Sequence, residues 1–381
     1  MHFSNSSGNQ SSLPALALPE GIRSRQIEGV NGLSMHVLEA GLAEVGRPCI
    51  LLLHGFPELA YSWRKVMPEL ADAGYYVIAP DLRGYGRTSG WDARYEGDVA
   101  SFRMTHLVRD TVALVTALGM SSVHTVVGHD FGSPLAAWCA LIHPEIFHSL
   151  AMMSAPFGGP PGPATASSIH EELRALPRPR KHYQWYYSTS HANTDMLNAE
   201  QGLHAFLRAY YHSKSADWTG NQPAPLLSWT ATEFARLPTY YVMDHDLTMP
   251  QTVLPYTPST QEIAACKWMP DIELAVYESE YARVGFQGGL QWYRCATDPG
   301  FLNELRAFGG RAINVPACYI AGASDWGIYQ KPGEFERMQH LGCTDMRGCH
   351  RVPGAGHWVQ QEQPRETVRL LLEFIATVKT S

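Results

Sequence analysis

Short apolar runs punctuate this chain, and stretches of helical periodicity fill the gaps between them. Cys49–Leu53, Tyr75–Pro80, Val123–Val127, Leu150–Ser154 and Ala317–Gly322 are dense in aliphatic and β-branched residues, as strands buried on both faces are. Cys349–Val352 reads as the last of them. Ser62–Ala73, Phe102–Leu118, Ser133–Ile142 and Arg365–Val378 carry apolar residues at helical spacing. Ile22–Glu39 turns at Asn31-Gly32, the signature of a hairpin. Strand and helix in alternation predict an α/β fold with a mostly parallel sheet flanked by helices.

After Ser154 the rhythm fails. Pro156–Ala166 is rich in Gly and Pro and continues neither strand nor helix. From about 165 to 305 the chain is helix-like and aromatic, and only at Ala317 does the α/β pattern resume. The expected organisation is a tail over 1–21, a first core part over 22–157, an inserted, mainly helical cap over 158–305 and a second core part over 306–381. Arg83-Gly84-Tyr85-Gly86 follows a strand as a dinucleotide turn would, but the third glycine is missing.

Chemistry enters at Gly128-His129-Asp130-Phe131-Gly132, between a predicted strand and a predicted helix. Small residues on either side of a central nucleophile let the backbone turn sharply and expose that side chain. Here the central residue is a carboxylate. An aspartate is a poor acyl-transfer nucleophile, yet it can displace a leaving group at an sp3 carbon and leave an alkyl ester for water to cleave. Epoxides and alkyl halides are the electrophiles that fit. Upstream, the Cys49–Leu53 run leads into His54-Gly55-Phe56-Pro57-Glu58.

With these motifs the chain resembles the α/β-hydrolase family and, within it, the soluble epoxide hydrolases. The resemblance runs from about residue 25 to 378 and rests on HGFPELAYSWR (54–64), APDLRGYGRTS (79–89), GHDFG (128–132), GGLQWYR (288–294), AGASDWG (321–327) and GAGHW (354–358), in the family's order. It departs from the family at Phe131, where tryptophan is usual. The resemblance implies Asp130 as nucleophile, the backbone N–H groups of Phe56 and Phe131 as oxyanion hole, His357 as base and Asp325 as the acid that orients it. Some relatives carry the acid after the preceding strand, but Ser154-Ala-Pro-Phe-Gly-Gly offers no carboxylate.

From the inserted segment the resemblance implies Tyr183 and Tyr293 as hydrogen-bond donors to an epoxide oxygen, with Tyr186 or Tyr187 as alternatives to Tyr183. His54, Pro57, Trp185, Trp292 and Trp358 are the expected substrate contacts. The implied activity is hydrolysis of an apolar epoxide to a vicinal diol, with water as co-substrate and no metal or organic cofactor. A haloalkane or haloacid dehalogenase would share the Asp-His-Asp set, and a ligand-binding protein on the same fold is the non-enzymatic alternative. Phe131 lacks an indole N–H to hold a halide, which favours the epoxide.

Composition narrows the partners. The chain has 381 residues, 45% of them apolar and 17% charged, with a net charge of −7. That balance offers no basic face for nucleic acid, and no apolar stretch approaches the ~20 residues of a membrane span. The first residues lack the pattern of an export signal, which deprives the sequons at Asn5 and Asn9 of meaning. Seven cysteines at irregular spacings read as reduced thiols of a cytoplasmic protein. The His340, Cys343, Cys349 and His350 group matches no zinc spacing.

Overall fold

Alternate residues of each strand feed opposite faces of one sheet. In β3 (Cys49–Leu53), Ile50 and Leu52 pack with the helices Met67–Asp72 and Pro364–Ala376, while Leu51 and Leu53 face the helices Met104–Ala117 and Gly132–Ile142. The computed structural model describes residues 13–42, 46–162 and 169–378. Residues 1–12, with both sequons, and 163–166 of the Gly/Pro-rich segment lie outside the described residues. The other strands of the sheet are β1 (Arg23–Val30), β2 (Leu33–Ala40), β4 (Tyr76–Pro80), β5 (Thr125–His129), β6 (Leu150–Met153), β9 (Ala317–Gly322) and β10 (Met346–Val352). Their order is β1-β2-β4-β3-β5-β6-β9-β10. β1 and β2 form the expected hairpin, β2 joins β4 antiparallel, and every later pairing is parallel.

Register aligns the carboxyl ends of the central strands. Leu53 pairs with Gly128, His129 with Met153, and Met153 with Ile320. The loops that begin at His54, Asp130, Ser154 and Ala323 therefore emerge side by side on one edge, where open α/β sheets bind ligands.

Three local expectations shift. Ser62–Ala73 divides into a 3-10 turn, Ala60–Trp63, and a short helix, Met67–Asp72, because Pro68 has no N–H to continue a helix begun upstream. The elbow strand starts at Thr125 and reaches His129, with Val123 held only by an isolated bridge to Phe147. Between β6 and β9 the helices are joined by a small antiparallel pair, β7 (Arg180–His182) and β8 (Val242–Asp244), too short to show a period in the sequence. No helix among the described residues is long and apolar enough to cross a membrane.

Candidate active site

β5 ends one residue before Asp130, whose backbone takes a left-handed conformation (φ +51°) before the helix Gly132–Ile142 begins. The flanking glycines make this turn possible. A Cβ on Gly128 would lie 2.0 Å from the Gly132 carbonyl oxygen, and one on Gly132 would lie 2.3 Å from that of Leu53. The Asp130 carboxylate, 7% exposed, divides its oxygens between two partners. Oδ1 accepts the Phe56 N–H at 2.9 Å, and Oδ2 lies 3.2 Å from His357 Nε2, which is not aligned for a hydrogen bond. The Phe131 amide, at the start of the helix, makes no hydrogen bond to Asp130. Burial raises the Asp130 pKa, but the closely facing His357, with the Lys214 charge, outweighs it and holds the group below the usual carboxylate range.

His357 and Asp325 meet as expected, with a third group between them. Asp325, after β9, is buried, and its Oδ1 lies 3.1 Å from His357 Nδ1. Ser154 Oγ sits 2.7 Å from the same nitrogen and donates to Asp325 Oδ2. The serine, at φ +69°, stands at the end of β6 where some relatives carry the acid. Its motif was on view in the sequence, but a hydroxyl gives no signal for this role without coordinates. Asp325 also accepts the Gly327 N–H at 2.7 Å. Burial alone would raise its pKa; His357, Ser154 and that N–H lower it.

Two further groups hold the His357 loop. His129 reaches the His357 carbonyl oxygen with Nε2 at 2.7 Å and Glu58 Oε2 with Nδ1 at 2.5 Å. Burial opposes charge on both partners. Even so, their mutual attraction lowers the Glu58 pKa and raises that of His129, as expected of a buried ion pair. Gln360 and Gln361 complete the shell of Glu58 at 2.9 and 3.2 Å. Glu362 accepts the backbone N–H groups of Gly356, Trp358 and Ala216 at 2.9, 3.0 and 2.8 Å. These glutamates lie in or beside quoted motifs, yet nothing in their spacing announces the contacts.

The segment between β6 and β9 brings Tyr183 and Tyr293 to this edge. Tyr293, on the helix Gln287–Thr297, sets its ring 5.1 Å from Phe131, 5.5 Å from Phe56 and 5.8 Å from Tyr183. Its hydroxyl has no hydrogen-bond partner among the described residues. The Tyr183 hydroxyl donates to Gln330 Oε1 at 3.2 Å. Burial, then the Asp130 charge, push both phenols well above their ordinary pKa. Tyr186 and Tyr187 are engaged elsewhere, donating to Asp195 at 2.9 Å and to the Tyr210 hydroxyl at 3.2 Å.

The expected substrate contacts fare unevenly. His54 is consumed by structure: Nδ1 bonds the Gly55 carbonyl at 2.9 Å and Nε2 accepts the Leu82 N–H at 3.1 Å. Trp185 is 44% exposed and packs on His170, because two residues along a helix from Tyr183 is the opposite face. Trp292 ties its indole N–H to the Arg83 carbonyl and sets its ring 5.2 Å from Phe131, which it supports. Trp358 flanks His357 at 4.6 Å, with its N–H on the Tyr211 carbonyl. Pro57, in a buried cis Phe56-Pro57 link, accepts the Tyr211 hydroxyl at 2.7 Å.

Comparison with known proteins finds relatives along nearly the whole chain. Residues 48–364 match the model of the alpha/beta hydrolase fold family. The chain is 30% identical over 364 residues to epoxide hydrolase A of Mycobacterium tuberculosis, covering 93% of this chain and 98% of that one. It is 31% identical over 348 residues to an epoxide hydrolase of Caballeronia sordidicola, covering 91% and 92%. Among solved structures, an epoxide hydrolase from an endophytic Streptomyces superimposes with a TM-score of 0.76 at 29% identity, covering 94% of this chain and 96% of that one. A carboxylate at the elbow, an imidazole facing it and this likeness along nearly the whole chain have one reading: the protein belongs to the alpha/beta hydrolase fold family, among its epoxide hydrolases.

Proposed function

We propose that the protein hydrolyses an apolar epoxide to a vicinal diol in two steps, with Asp130 as nucleophile. The observation that carries the reading is the division of labour at Asp130: one oxygen rests on the Phe56 N–H and the other faces His357 Nε2. In the first step Oδ2 attacks an oxirane carbon, the C–O bond breaks, and a phenol of Tyr183 or Tyr293 donates its proton to the departing oxygen. The two phenols are hard to ionise while Asp130 is an anion beside them. Alkylation removes that anion, so proton donation becomes easier as the bond forms.

In the second step His357 takes a proton from water, which attacks Cγ of the ester. The oxyanion forms on Oδ1, where the Phe56 amide already sits, and the Phe131 amide is the second donor. Collapse breaks the Cγ–Oδ2 bond; the departing oxygen takes the proton held by His357, the second proton of the water returns to the phenolate, and the diol leaves a restored carboxylate. Asp325 and Ser154 keep the imidazole in one tautomer and answer its charge. A dehalogenase finds less support, since the Phe131 side chain offers no donor for a halide and the indoles of Trp292 and Trp358 are both engaged. The segment between β6 and β9 acts as the cap. Seven cysteines, five of them buried, favour a reducing, cytoplasmic setting.

His357→Gln tests the scheme, because it leaves the nucleophile in place and removes the base. Incubated with an aryl epoxide, this variant accumulates a covalent adduct on Asp130, detected by intact and peptide mass spectrometry. Full turnover, or an adduct on another residue, refutes the assignment. In a single turnover of the native enzyme in heavy-oxygen water, the diol carries an oxygen from Asp130 and the solvent label enters the carboxylate.

A further inference from the structure

Lys214 ends the helix Leu203–Lys214 and is only 3% exposed. Among the described residues no carboxylate lies within ion-pair distance of its Nζ. The rings of Tyr241, Tyr210, Trp358 and Tyr240 surround the ammonium instead, with centroids at 4.7, 5.3, 5.7 and 5.8 Å. Aromatic faces attract a cation but return only part of its lost hydration. Two contacts fix this cage to the active site. The Lys214 carbonyl accepts the His357 backbone N–H at 2.8 Å, and the Trp358 wall stands 4.6 Å from the His357 ring. Asp130 is the nucleophile on which the Lys214 charge acts, adding to His357 in holding the carboxylate ionised against burial.

We propose that Lys214 is a positioning residue of the hydrolytic half-reaction, its fixed charge favouring every state in which Asp130 carries negative charge. The inference rests on the two-step reading above. During alkylation the Asp130–carbon bond forms, the oxirane C–O bond breaks, and negative charge leaves Asp130 for the oxirane oxygen and the phenol that protonates it. Lys214 opposes that step. During hydrolysis the water oxygen bonds to Cγ, its proton passes to His357, and charge returns to Asp130, first as the tetrahedral oxyanion and then as the free carboxylate. The imidazolium is answered by Asp325 at 3.1 Å; the oxyanion is answered by the Phe56 N–H and by Lys214. The caged cation thus discourages accumulation of the neutral ester and speeds its removal.

Lys214→Met tests this, since it keeps an unbranched stem among the rings and removes the charge. Quenched-flow mixing with an aryl epoxide, read by intact mass, gives both rates. Hydrolysis of the ester slows by about tenfold or more, as expected for one charge acting across a water-poor site, while alkylation keeps its rate or quickens, so the ester becomes the dominant species at steady state. Lys214→Gln gives the same split, should the methionine variant fail to fold. Lys214→Arg, which returns the charge, restores the native partition. Equal slowing of both steps, unchanged hydrolysis in the neutral variants, or no rescue by arginine overturns the proposal. Absence of any ester on Asp130 in His357→Gln would instead remove the two-step reading itself.

Discussion

Asp130 holds a left-handed backbone at a cost of about 1 kcal/mol, and the return is a carboxylate lifted clear of the sheet with each oxygen already assigned. Its place at a strand-to-helix elbow was legible because the glycine spacing, read together with the motifs at 54–58 and 354–358, marks that turn. Ser154 was illegible, since its hydroxyl matters only through where β6 delivers it. Ser154→Ala removes the hydroxyl that links Asp325 to His357, a loss of about 10- to 100-fold expected in the hydrolytic step, with alkylation nearly unchanged in pre-steady-state traces. Tyr293→Phe does the reverse. It keeps the ring against Phe131 and Phe56, and loss of one proton donor slows alkylation by about 10²–10⁴-fold, less whatever Tyr183 supplies. A double variant with Tyr183→Phe that still alkylates at the native rate would reduce both tyrosines to packing.

At the scale of elements, the central parallel strands announced themselves because burial on both faces forces continuous apolar runs, while the edge strand β10, MRGCHRV and mostly part-exposed, did so only over its last residues. The short β7–β8 pair did not, and Pro68 broke a helix whose period looked continuous. The side chains that secure the His357 loop also escaped notice: the partners of Glu58 and His129 lie far along the chain, and those of Glu362 are backbone groups that leave no mark on the sequence. Glu362 bonds three backbone N–H groups, two within that loop and one beyond Lys214. Glu362→Gln turns an amide donor toward one of them, and a loss of about 1–3 kcal/mol of stability is expected, with kcat falling as the imidazole loses its fixed place. Glu58→Gln leaves His129 buried without its counter-charge, a defect typically worth about 3–5 kcal/mol. Chemical denaturation of the two variants beside native protein measures both.

Across the whole molecule, acid stability follows from carboxylates buried among partners. Asp81 shows the sign. Burial raises its pKa, but His36, at 2.7 Å, His54 and the Arg87 N–H outweigh that and bring it from 3.8 to about 2. Below the ordinary carboxyl pKa the unfolded chain takes up this proton while the folded protein resists it. The contribution, about 2 kcal/mol, is therefore complete above roughly pH 4 and drains away toward pH 2. Denaturation midpoints recorded over that window fall steeply in the native protein, and Asp81→Asn, weaker at neutral pH, falls less. An equal slope in both would deny Asp81 this share.

The pairing of β6 with β9 has a further consequence, for the order in which the chain assembles. Strands β1 to β6 lie within residues 23–153, and their longest connection is 81–124, whereas β9 must close on β6 across 154–316. Closing so long a loop is entropically dear and slow. Asp130 belongs to the part that can collapse early; Asp325 and His357 arrive only with β9 and β10. During refolding from denaturant, far-ultraviolet ellipticity therefore recovers ahead of diol formation, and Asp130, the proposed nucleophile, exists for a time without His357 beside it.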